Sequence, residues 1–112
     1  MDRLDQLRAL SRDEIKAHAG DLGDTETGRY LISEASELLA VLRLWAESQF
    51  RTDQPVRLLL EAGDADALNG VARELLELRT PEEQTAGRTI VEIANRSSGE
   101  LKAIAGYALR AL

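Results

Sequence analysis

Cysteine is absent, which excludes disulfides, thiol nucleophiles and cysteine-held metal centres. Histidine occurs once, at His18, where a partial positive charge suits the end of a helix. One imidazole in a peripheral helix does not assemble a Ser-His-Asp arrangement. Proline occurs only at Pro55 and Pro81, and aromatics make up 4% of the chain, so little interrupts or competes with helix. No stretch approaches ~18 uninterrupted apolar residues, and "MDRLDQLRAL" has no apolar leader core, so no membrane span is expected and a cytoplasmic location is. No run of Lys or Arg with interleaved aromatics occurs, and the formal net charge is −6, so phosphate backbones would repel the chain and nucleic-acid binding is disfavoured. The Gly-rich segment "GDLGDTETG" lacks the Gly-Lys-Ser/Thr close of a phosphate-binding loop.

What remains is rich in Leu, Ala, Glu and Arg, a mixture that favours helix almost everywhere. At 112 residues the chain is expected to form one domain, 1–112, around a single core. Residues 21–50 carry six acids and two bases, and residues 51–79 six and four, so the negative excess sits in the middle of the chain. A basic partner would be attracted and steered by it.

Apolar periodicity divides the chain. Leu4, Leu7 and Leu10 suggest a short opening helix, and Ser11 with Glu14 reads as a capping box that starts a second one, stopped at Gly20. A long helix from about 25 to 50 carries the stripe Leu31, Ala35, Leu38, Leu42 and Trp45, widened by Ile32, Leu39 and Ala46. Pro55 opens the next helix. Leu68, Val71, Ala72, Leu75 and Leu78 mark another, Thr80-Pro81 starts one with Ala86, Ile90, Ile93 and Ala94 inward, and Ser97 with Glu100 starts the last. The expected fold is an all-α bundle of five or six helices around the long one.

Two carboxylates sit among the apolar residues of the long helix. At about 100° per residue, Glu34 falls beside Leu38 and Trp45, and Glu37 between Val41 and Leu44. A carboxylate at the margin of an apolar stripe must be paired, solvated or bound to something. Glu61 and Asp64 repeat the i, i+3 spacing downstream, and two helices presenting such pairs inward can hold Mg²⁺ or Mn²⁺ through oxygen ligands. "EAGDAD" also reads as a turn, with Gly63 ending one helix and Asp64 capping the next.

The stretches "SEASELLAVLRLW" and "LLLEAGDADALNGVARELL" resemble the metal-bearing helices of the MazG-like and dUTPase-like all-α nucleoside triphosphate pyrophosphohydrolases, over roughly residues 30 to 75. That resemblance implies Mg²⁺ held by Glu34, Glu37, Glu61 and Asp64, with cleavage between the α- and β-phosphates. The other reading makes Glu34, Glu37, Val41, Leu44, Trp45 and Phe50 an acidic-edged apolar strip for a protein partner, with aromatic anchors for affinity and rim acids for steering. On balance the residues favour a non-enzymatic binder without cofactor, of the inhibitor, immunity, antiactivator or adaptor type. Its expected partner is a protein with a basic surface, and the apolarity of "LLAVLRLWA" also suits a homodimer.

Overall fold

Leu4, Leu7, Ser11, Ile15 and Ala19 recur at three- and four-residue intervals, one stripe down one face of a helix. In the computed structural model, which describes residues 3–20, 24–49 and 52–112, that stripe forms a single helix, α1 (Arg3–Ala19), with all five residues buried. The expected break at Ser11 does not occur. The apolar stripe runs on through Ser11, and its burial outweighs the local capping signal. Gly20 then ends the helix in the left-handed region at φ 59°.

The second helix, α2 (Glu26–Gln49), starts where the Thr25 hydroxyl accepts from the Gly28 N–H at 2.8 Å. Its 24 residues span about 36 Å. Pro55 opens α3 (Gln54–Ala62), which stops at Gly63 with φ 55°. Asp64 then caps α4 (Ala65–Glu77), its carboxylate accepting from the Asp66 N–H at 2.9 Å. Thr80 and Ser97 cap α5 (Pro81–Ala94) and α6 (Ser98–Arg110) by accepting from the N–H groups of Glu83 and Glu100.

Helix α2 is the spine. Helix α1 packs along it, α5 and α6 cover further sides, α3 leans on α6, and α4 pairs with α5. The chain direction of α1 opposes that of α2, because the Arg3 guanidinium donates to both carboxylate oxygens of Glu47 at 2.6 and 3.1 Å. Two more ion pairs join the same helices, Arg8 with Glu37 at 2.7 Å and Arg43 with Glu14 at 2.8 Å. The N-terminus of α1 borrows a cap from α5, where Glu82 Oε1 accepts from the Leu4 N–H at 2.8 Å. Helices α4 and α5 approach closely at Gly87. An ideal Cβ there would lie 2.8 Å from Leu76 Cγ and 3.1 Å from the Ala72 carbonyl oxygen.

One hydrophobic cluster gathers residues from all six helices, with Leu38, Leu39, Leu42, Val56, Leu68, Leu75, Ile90 and Ile104 wholly enclosed. No strand occurs among the described residues, and no helix among them is long and apolar enough to cross a membrane.

Candidate interaction surface

Surrounded on most sides, α2 uses its apolar residues inside the molecule. Val41 is fully buried, Leu44 is 9% exposed and Trp45 6%, so the strip expected to face a partner forms part of the core. The reason is that α1, α5 and α6 all need an apolar face on α2, which a single stripe could not supply. Trp45 satisfies its indole by donating Nε1–H to Glu74 Oε2 at 2.7 Å. Phe50 lies outside the described residues.

The two marginal carboxylates are answered by arginines. Glu37 sits 2.7 Å from Arg8 Nε, and Glu34 accepts from Arg96 Nη2 at 3.5 Å. Glu34 raises the Arg96 guanidinium above its ordinary range, and Tyr30 adds to that rise. The four acids of the expected Mg²⁺ set do not converge. Gly63 breaks the helix between Glu61 and Asp64, Asp64 is spent capping α4, Glu61 is exposed, and Glu34 and Glu37 turn to different arginines. Among the described residues no group of three or more acids or histidines could hold a metal ion. His18 is exposed in the last turn of α1.

The surface feature that combines apolar walls with an acidic edge lies elsewhere on the same long helix. Thr27, Tyr30 and Leu31 of α2 and Gly99, Glu100 and Ala103 of α6 line a cleft of about 500 Å³. It exists because the α6 core stripe, Leu101, Ile104, Ala105 and Ala108, points inward and leaves Gly99, Ala103 and Gly106 on the opposite side, where no long side chains fill the space. A second hollow of about 280 Å³, lined by Ala103, Gly106, Tyr107, Lys102 and Arg110, continues from it across Ala103. The Arg110 guanidinium lies 5.7 Å from the Tyr107 ring centroid.

Tyr30 forms one wall, 39% exposed, with its hydroxyl donating to Glu100 Oε2 at 3.1 Å. Partial burial raises the Tyr30 phenol above its ordinary value, and the bond to Glu100 adds to the rise while Arg96 opposes it. The cleft thus holds a rigid aromatic, a leucine, a floor of small residues and a carboxylate on its rim. By contrast, the 380 Å³ hollow between the starts of α1 and α5 has its charged groups committed, Glu82 to the Leu4 N–H and Arg8 to Glu37. Leu10 and Leu58, the most exposed large apolar residues among those described, line neither the cleft nor its continuation.

No protein-family model, curated protein or solved structure matches the chain at a significant level.

Proposed function

We propose that the protein is a non-enzymatic regulator that works by binding another protein, in the manner of an inhibitor, immunity factor, antiactivator or adaptor, in the cytoplasm. The observation that carries this reading is the α2–α6 cleft, whose Tyr30 and Leu31 walls and small-residue floor suit an apolar anchor side chain. Glu100 on its rim, within a chain of net charge −6, favours a partner that flanks that anchor with Lys or Arg. On this reading the long helix meets the partner through its first turns rather than through the buried Val41, Leu44 and Trp45.

The test is a charge placed in the floor. Ala103 lies on the outer side of α6, so Ala103→Glu is expected to leave the melting temperature within about 2 °C while abolishing a stoichiometric complex captured by the tagged protein. A complex that survives Ala103→Glu would refute the assignment of the surface. If the chain self-associates and Ala103→Glu makes it monomeric by light scattering, the partner is a second copy of the chain.

A further inference from the structure

Acids outnumber bases 20 to 14, and four arginines, Arg3, Arg8, Arg43 and Arg96, each lie against a carboxylate. Among the remaining described cations, three are brought together at one place. Arg12 and Lys16, one turn apart on α1, and Arg29, on α2, converge on a hollow of about 270 Å³ that Ile32 and Ser33 complete. Among the described residues none of the three has a carboxylate within 4 Å, which is also true of Arg57, Arg73, Arg79, Arg88, Lys102 and Arg110; what sets the three apart is that they line one hollow. The nearest acids in sequence, Asp13, Glu14 and Glu26, pair with none of the three, and Glu14 is held by Arg43 instead. Like charges at i, i+4 destabilise a helix, so Arg12 and Lys16 work against α1 unless an anion lies between the helices.

The geometry points to a binding site for a small phosphoryl-bearing molecule between α1 and α2. Three cations match a phosphate dianion better than a lone carboxylate, which would leave two of them uncompensated. The two guanidiniums can each grip a pair of phosphoryl oxygens, the ammonium of Lys16 acts as a point charge, and the Ser33 hydroxyl supplies a further donor. Ile32, 3% exposed, and the alkyl stems of Arg12 and Lys16 give the hollow an apolar floor against which the organic part of a phosphate monoester can lie. The hollow is large enough for such an ester. It opens between α1 and α2 and shares no lining residue with the α2–α6 cleft, so the assignment does not depend on the protein-binding reading.

Amide-resolved NMR titration of the full chain tests it, with inorganic phosphate and phenyl phosphate as probes and sodium chloride at matched ionic strength as reference. Saturable shifts are expected at Arg12, Lys16, Arg29 and Ser33, with phenyl phosphate tighter than inorganic phosphate. Arg12→Gln and Arg29→Gln should each weaken binding about tenfold or more. Arg88→Gln, on an exposed arginine of α5, should leave it unchanged. Shifts that fail to saturate, that chloride reproduces, or that persist undiminished in Arg29→Gln would overturn the site. Binding of inorganic phosphate with exclusion of phenyl phosphate would overturn its assignment to an ester.

Discussion

Ser11→Ala is expected to stabilise the protein by about 1–2 kcal/mol. Ser11 is fully buried in the middle of α1, and its Oγ has no hydrogen-bond partner among the described residues. An unsatisfied buried polar group costs ~1–3 kcal/mol, and alanine exceeds serine in helix propensity by about 0.5 kcal/mol. The lost oxygen leaves a void smaller than a methyl group, which offsets roughly 0.5 kcal/mol. For a chain of this size the net gain raises the melting temperature by about 4–8 °C. Ser36 supplies the internal control. It is also buried on a helix, but its hydroxyl donates to the Ile32 carbonyl at 2.8 Å, so Ser36→Ala exchanges a satisfied bond for propensity and should change stability by less than about 0.5 kcal/mol. Urea unfolding followed by circular dichroism reads both variants on one scale. Destabilisation in Ser11→Ala would show that the hydroxyl is bonded, and would refute the account of α1 as a helix that tolerates a polar defect for the sake of its stripe.

Gly87→Ala should destabilise by about 1–2 kcal/mol despite alanine's better propensity, because the Ala72 carbonyl 3.1 Å from the new Cβ is backbone and cannot swing aside as Leu76 can; a raised melting temperature would contradict this. Glu74→Ala removes the acceptor of the buried Trp45 N–H and should cost about 1–2 kcal/mol with a shift in tryptophan emission, whereas an unchanged unfolding midpoint would mean the bond carries no stability. In an ultraviolet titration Tyr30 should ionise above 10.0, and Glu100→Gln should lower its midpoint without restoring it fully, since burial is the larger cause. The sign follows from linkage. A phenol whose folded pKa is raised contributes stability that is complete below about pH 10 and is lost as pH rises through the folded value, so Tyr30→Phe should flatten the alkaline limb of the stability profile.

Most helix boundaries were legible because local chemistry and periodicity agreed there. Thr80-Pro81, Ser97 and Asp64 cap helices, and Gly20 and Gly63 end them, as their residue types require. Ser11 misled because the capping signal and the stripe competed, and only the packing of α1 on α2 decides between them. The surface was harder to read for a related reason. A helix wheel ranks Val41, Leu44 and Trp45 as apolar without saying how many neighbours will cover them, and beyond its chain neighbour α1, α2 acquires α5 and α6 from distant parts of the chain. The α2–α6 cleft is marked in sequence only by what α6 lacks opposite its core stripe, large residues at 99, 103 and 106. The unpaired cations of the α1–α2 hollow are invisible in charge counts, because residues 1–20 sum to zero while the partners of Arg3 and Arg8 lie on α2.

The central claim, that the α2–α6 cleft receives a protein partner, is tested most directly by a photo-cross-linking residue placed at position 103 of the intact chain, with position 88 on α5 as reference. Irradiation in an extract of the source cells is expected to give one discrete adduct from position 103 and none from position 88, with Glu100→Gln diminishing its yield. Adducts of equal yield and pattern from both positions, or none from position 103, would contradict the claim.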